Sequence, residues 1–231
     1  MTAFFVTATG TDIGKTYVTA GLIRAIRATG GQARALKPVI SGFDMEAAES
    51  SDSGLLLRAM GQAIASGSVA RISPWRFYAP LSPDMAAARE NREIDFSELV
   101  AFCRDEIRSV EGTLFIEGVG GVMVPIDPNH TVLDWMAALR IPAILVAGTY
   151  LGTISHTLTA LTVLASRHIS VRALVLNESE IAPVPVRETI STISRFVPAT
   201  PIAVFPRAND LSDSTEAFRR LCALLDWNIA G

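Results

Sequence analysis

Cysteine is scarce: the 231 residues contain only Cys103 and Cys222. They lie far apart, each inside an apolar, helix-like stretch, which points to buried free thiols and away from a disulfide framework. Histidine is scarcer still for its usual chemistry. His130, His156 and His168 are the only three, and none stands at metal-ligand spacing from another. His156, opening a predicted helix, reads as structural. Long apolar runs are missing too. "AILVAG" and "ALVLN" fall far short of the ~20 residues that span a bilayer. The N-terminus lacks the basic region and long apolar core of a signal peptide. Neither sign of charge dominates: 20 basic against 23 acidic residues give a net charge of −3, and no basic block suggests a nucleic-acid surface. These absences predict a soluble, cytoplasmic protein that binds neither nucleic acid nor membrane.

What is present is a hydrophobic content of 49%, enough to exclude general disorder and to bury a substantial core in one domain over residues 1–231. Short apolar runs at 3–8, 33–39, 112–118, 142–148, 171–177 and 201–206 read as strands. Most lack period-two alternation, as strands covered on both faces do. Helices are predicted between them near 15–29, 52–62, 96–109, 131–139, 153–167, 184–196 and 214–225, the third opened by Asp95 as cap with Glu98 three residues on. This alternation implies an α/β fold, a doubly wound and mostly parallel sheet flanked by helices. Residues 63–95, with Pro74, Pro80 and Pro83, show weak periodicity and read as a surface excursion beside the active site.

Behind the first strand stands "ATGTDIGKT", residues 8–16. The strand before it and the amphipathic helix after it are the context of a phosphate-binding loop. Gly14 lets backbone approach a phosphate, and the helix start supplies free N–H groups and the positive end of its dipole. Lys15 can reach β- and γ-phosphates, and the Thr16 hydroxyl can hold Mg²⁺. The alternative is a tight strand–helix turn with an exposed lysine. Magnesium also wants carboxylates. Glu117 ends the buried strand of "LFIEGVGG", a costly place unless it is paired or metal-bound. Asp52 begins a predicted helix, and its spacing alone favours a simple N-cap there over a metal ligand. Lys37 ends the second strand in "LKPVISG". On the same rim it could neutralise charge in phosphoryl transfer, or simply be a solvated strand end. Asn177 at the end of "LVLN" suits adenine recognition or a turn.

Taken together, "TGTDIGKT", "LKPVISG", the "SD" before an apolar helix, "APLSP", "IEGVGG", "ILVAGTYLGTISHT" and "LVLNE" resemble the dethiobiotin synthetase family in kind and order, from about residue 4 to residue 207. In that family the loop is one residue longer than the usual pattern, with glycine where this chain has Ala8; alanine is harmless there if its φ is negative. The resemblance implies a biotin-synthesis ligase that takes 7,8-diaminopelargonate, CO₂ and Mg-ATP to dethiobiotin through a carbamate and a carbamic-phosphoric anhydride. It implies Thr16, Asp52 and Glu117 as Mg²⁺ ligands, Lys15 and Lys37 around the transferring group, and Thr11 and Ser41 near the diamine. Asp12, Ile13, Gly14, Lys15, Thr16 and Tyr17 would wrap the nucleotide phosphates, with Asp52, Glu117, Gly118, Val119 and Gly120 beside them. Asn177, Glu178, Pro206, Arg207 and Ala208 would line the base and ribose. It also implies a homodimer in which Gly152, Thr153 and Ser155 hold the substrate carboxylate across the interface, Ser155 standing where asparagine is usual.

The competing reading is a related phosphate-loop ATPase that switches or partitions. Such proteins often carry a second lysine early in the loop, and this loop has none. An amidating ligase of the cobyrinic acid type would need a glutaminase cysteine, and "FCRDE" and "LCALL" are not nucleophile settings. A dinucleotide binder leaves Gly-Lys-Thr unexplained.

Overall fold

A computed structural model describes residues 2–207 and 215–225. Strand β1 (Thr2–Ala8) is followed by helix α1 (Lys15–Ala28), β2 (Ala33–Leu36) and β3 (Val39–Ser41). Then come α2 (Asp52–Ala59), α3 (Ser66–Ile72), β4 (Trp75–Phe77), α4 (Pro83–Arg89), α5 (Phe96–Ser109) and β5 (Thr113–Glu117). The remainder alternates regularly: α6 (Val132–Leu139), β6 (Ala143–Ala147), α7 (Thr153–Ser166), β7 (Val171–Asn177), α8 (Val186–Phe196), β8 (Ile202–Phe205) and α9 (Thr215–Leu224). The main sheet has the order β2-β5-β1-β6-β7-β8, and every adjacent pair is parallel. The doubly wound α/β architecture expected from strand–helix alternation is therefore the one found.

Parallel strands buried on both faces explain the unbroken apolar runs. Phe4, Phe5, Val6, Leu114, Phe115, Ile116, Ile144, Leu145 and Val146 are all buried. Opposite faces of β1 carry different partners. Phe5 meets Trp135 of α6 edge-on at 4.9 Å, and Phe4 stacks on Phe115 at 5.9 Å. Both cysteines are buried free thiols; desolvation pushes Cys103 up to about 12 and Cys222 to about 11, so neither is a thiolate near neutrality. No helix among the described residues is long and apolar enough to cross a membrane.

The chain leaves β1 toward β2 on one side, returns through β5, then crosses to β6 on the other side. The direction of winding reverses at β1. That reversal opens a crevice above the carboxyl ends of β1 and β5, where loops part in opposite directions.

Two expectations need correction. The second strand does not run through 33–39. Pro38 has no N–H to give the ladder, and Lys37 donates its amide instead to the Ile72 carbonyl at 3.0 Å. The chain turns off the main sheet there and forms β3, which pairs parallel with β4 in a separate two-stranded sheet. The stretch 63–95 does lie beside the cleft, through Pro80 to Pro83, but it is not merely a surface excursion. Val69, Ile72, Phe77, Ala86 and Ala87 are buried, making α3, β4 and α4 a packed layer. Its helices have seven residues each, too few for a helical period to show.

The start of α2 is set by close packing. A Cβ on Gly54 would stand 1.9 Å from the Ala48 carbonyl oxygen, which no small shift relieves. Gly54→Ala is therefore expected to displace the amino end of α2 and lower stability by about 1–3 kcal/mol. A urea midpoint equal to that of the unaltered protein would show that the contact is not constraining.

Candidate active site

The loop between β1 and α1 is built from left-handed backbone. Asp12 has φ 56° and Gly14 φ 98°. Ala8, by contrast, ends β1 as a buried residue in register with Val146 and is not among the positive-φ residues, so alanine causes no strain there. A Cβ on Gly14 would meet the Asn177 amide at 2.2 Å. Gly14 is also the N-cap of α1, which has no side-chain cap and no acidic residue in its first turn. The positive end of the helix is thus left uncompensated toward the crevice.

Above the loop lies a cleft of about 720 Å³ lined by Thr11, Asp12, Gly14, Lys15, Thr16, Lys37, Ser41, Asp52, Val119 and Gly120. Four elements bring charged and polar side chains together here, three of them lining the cleft and Glu117 buried behind them. Glu117 comes from the last residue of β5 and Lys37 from the turn after β2. Thr16 lies in the first turn of α1. Asp52 begins α2. The cap of α2 is Ser51, which accepts from the Gly54 amide at 3.1 Å, so Asp52 is released from capping and faces the cleft.

The Lys37 ammonium donates to Glu117 Oε1 at 2.8 Å and to the Gly118 carbonyl at 2.8 Å, and pairs with Asp52 Oδ2 at 2.9 Å. All three of its protons are engaged, at a residue only 2% exposed. Desolvation is the largest single influence on Lys37 and pulls its pKa down. Glu117 and Asp52 together outweigh it, and the net shift is upward. For Asp52, desolvation pushes up, but Lys37 and the Thr16 hydroxyl hold the carboxyl below its ordinary value.

Lys15 is oriented differently. Its ammonium donates to the Gly10 carbonyl at 3.2 Å and the Gly120 carbonyl at 2.8 Å. Burial, then the neighbouring Lys37, lower its pKa to about 8.

Thr16 Oγ1 lies 2.8 Å from Asp52 Oδ1 and 2.7 Å from Glu117 Oε1. A hydroxyl has one proton, so it cannot satisfy both carboxylates. Glu117 Oε2 is buried with no partner at all. Three hard oxygen donors converge here with lone pairs to spare, which fits the magnesium preference for few protein oxygens completed by phosphate and water. Among the described residues no group of three or more His, Cys, Asp or Glu could hold a metal by itself.

The other expected residues fall into two groups outside the cleft. On the far side of the loop, Asn177 Nδ2 donates to the Ile13 carbonyl at 3.0 Å. Tyr17 packs against Phe205 and Phe218. Glu178 accepts from the Arg207 amide at 3.1 Å, beside Pro206 at the end of β8. Ala208 lies outside the described residues. At the end of β6, Gly152 caps α7 with φ 98°, and Ser155 is exposed in the first helical turn. Thr153 is already engaged, its hydroxyl donating to the Gly148 carbonyl at 2.7 Å and its amide to the Tyr150 carbonyl at 3.1 Å. None of these three lines the cleft. Pro80, Leu81, Ser82 and Pro83, with Ile40, Gly42 and Val124, form cleft wall that residue-by-residue reading did not assign. The "APLSP" stretch and its prolines were the available signal.

A family model for an AAA domain matches residues 2–215. The chain is 55% identical over 206 residues, 89% of this chain and 92% of the other, to the ATP-dependent dethiobiotin synthetase of Acidiphilium cryptum. It is 43% identical over 229 residues, 96% and 98% of the two chains, to that of Phenylobacterium zucineum. Among solved structures, the cell division ATPase MinD of Pyrococcus furiosus superposes with a TM-score of 0.54 over 98% of this chain and 99% of that one, at 15% identity. The MinC:MinD complex of Aquifex aeolicus gives 0.57 over 96% of each chain at 13%. At such identities these similarities establish a shared fold alone.

Gly14→Ala is expected to lower stability by about 1–3 kcal/mol through left-handed strain and the clash with Asn177, and to weaken Mg-ATP binding at least about tenfold. Calorimetric binding and a thermal melt both unchanged would contradict the conformation described for this loop.

Proposed function

The chain belongs to the ATP-dependent dethiobiotin synthetase family, and we propose that its cleft carries out the ring closure of 7,8-diaminopelargonate with CO₂ and Mg-ATP. The observation that carries this reading is the convergence of two ammonium groups, two carboxylates and one hydroxyl above a single left-handed loop. A triphosphate laid on the loop would receive the amides of α1 and the Lys15 ammonium. Thr16, Asp52 and Glu117 would hold Mg²⁺, which when bound supplies positive charge against the β- and γ-phosphates.

One amine of the diamine adds to CO₂ and loses a proton, giving a carbamate. A carbamate oxygen attacks the γ-phosphorus and ADP leaves, giving a mixed carbamic-phosphoric anhydride. The second amine then attacks the carbamoyl carbon, and inorganic phosphate departs as the cyclic urea forms. Little of this requires covalent help. Thr11 and Ser41 would position the amines. Lys15 and Lys37 would stabilise negative charge on the moving phosphoryl group. The wall from Pro80 to Pro83 would exclude water from the anhydride. Asn177, with Glu178, Pro206, Arg207 and Ala208, would bound the adenosine on the far side of the loop. We further propose a cytoplasmic homodimer in which Gly152 and Ser155 of one subunit bind the substrate carboxylate of the other, Thr153 serving to fix that turn.

A switching ATPase shares this fold but would hydrolyse ATP without regard to the diamine. Phosphate release measured with ATP and bicarbonate is expected to stay at background and to rise on adding diaminopelargonate, in step with dethiobiotin formation. Equal phosphate release with and without the diamine would reject the synthetase reading. Glu117→Gln is expected to raise the Mg²⁺ concentration needed for half-maximal turnover; an unchanged metal titration removes Glu117 from the metal site.

Lys15 yields a further expectation. Its pKa of about 8 in the free protein leaves it partly neutral just above that pH, whereas triphosphate charge favours the ammonium. ATP binding between pH 8 and 9 should therefore take up a fraction of a proton. Calorimetry in two buffers of different ionisation enthalpy measures that uptake, and zero uptake or proton release would contradict the assignment.

A further inference from the structure

Lys37 already stands where positive charge is required. Its ammonium bridges Glu117 Oε1 at 2.8 Å and Asp52 Oδ2 at 2.9 Å, the same two carboxylates that close on Thr16 Oγ1. Two like charges drawn together, Glu117 fully buried and Asp52 partly exposed, repel one another unless a cation lies between them. Lys15 does not serve, since it donates to two carbonyls. The arrangement is also incomplete: Lys37 has spent its third proton on the Gly118 carbonyl, and Glu117 Oε2 stays buried without a partner. An ammonium offers single protons, whereas a divalent ion can accept several oxygens at once.

We propose that Lys37 is the internal counter-cation of the metal pocket. In the nucleotide-free protein its ammonium occupies the space between Asp52 and Glu117 that the divalent ion takes when ATP is present, so ammonium and metal exclude one another. The inference rests on the preceding reading of Asp52 and Glu117 as Mg²⁺ ligands. Free metal then fails to load, because it must displace a buried ion pair. Metal arriving with a triphosphate succeeds, because the phosphate oxygens receive the displaced ammonium. The long flexible stem of lysine allows that movement. Lys37 thereby couples metal entry to nucleotide entry and is delivered to the phosphates only when both are bound.

The test is Mn²⁺ binding, read from the electron paramagnetic resonance signal of the free ion without nucleotide. Lys37→Met should bind Mn²⁺ at least about tenfold more tightly than the unaltered protein, and Lys37→Arg should not. Equal or weaker binding by Lys37→Met overturns the proposal. In that event, loss of ATP-dependent Mn²⁺ uptake in Glu117→Gln would show that the metal-ligand reading itself survives, whereas unchanged uptake in Glu117→Gln would remove both. The unaltered protein supplies an independent check should Lys37→Met not fold. Millimolar Mg²⁺ without nucleotide should leave its thermal midpoint unmoved, and a rise of several degrees would overturn the proposal, since an ion that binds the native state stabilises it.

Discussion

An ammonium buried between two carboxylates at the carboxyl edge of a parallel sheet is the constraint on which this molecule is arranged. Taking the Lys37 and Glu117 charges out of water is expensive and is tolerated only with near-ideal geometry, while Asp52 closes the group from the partly exposed side. That geometry needs four backbone elements to end at one place. β5 must stop at Glu117, β2 must give way at Lys37, and α1 and α2 must both begin within reach. The chain supplies each ending by a specific local device. Pro38 ends the ladder after Lys37. Ser51 caps α2 and leaves Asp52 free. Gly14 admits the left-handed turn before α1. Gly118 follows β5 where a Cβ would approach the Phe5 ring to 2.8 Å.

The loop divides the rim into two working sides. Toward β5 lies the charged cleft. Toward β7 the loop rests on Asn177, whose amide holds the Ile13 carbonyl and fills the space next to Gly14. The residue proposed to read a base is thus also a strut for the loop between β1 and α1. Farther along the rim, the start of α7 repeats the α1 arrangement: a left-handed glycine cap at φ 98° and no side-chain cap. None of Gly152, Thr153 and Ser155 at that start lines the cleft.

Much of this was legible in the sequence, for physical reasons. Uninterrupted apolar runs such as "AFFVT" and "AILVA" signal strands covered on both faces, and β1, β5 and β6 show that signature, whereas Arg34 and Arg172 interrupt β2 and β7, and β8 alternates in burial. A carboxylate ending such a run, as Glu117 does, announces a partner. What stayed hidden depended on tertiary context. Pro38 marks a break in the ladder, but nothing local says that a second sheet begins after it, because β3 forms only through its pairing with β4. The layer from 63 to 95 uses helices too short to display a period. Asp52 reads more readily as a cap from spacing alone, and the structure gives that role to Ser51. The engagement of Lys37 was invisible for a similar reason. A strand-end lysine looks solvated in one dimension and becomes a buried counter-ion only when Glu117, Gly118 and Asp52 are brought to it.

The central claim is that these charges surround one triphosphate and rearrange around it. A crystal structure with Mg²⁺, a non-hydrolysable ATP analogue and diaminopelargonate tests it most directly. The account predicts metal coordinated by Thr16, Asp52 and Glu117, with the Lys37 ammonium withdrawn from the two carboxylates and turned to the γ-phosphate. Metal bound elsewhere, or Lys37 still bridging Asp52 and Glu117 in the loaded enzyme, would contradict it.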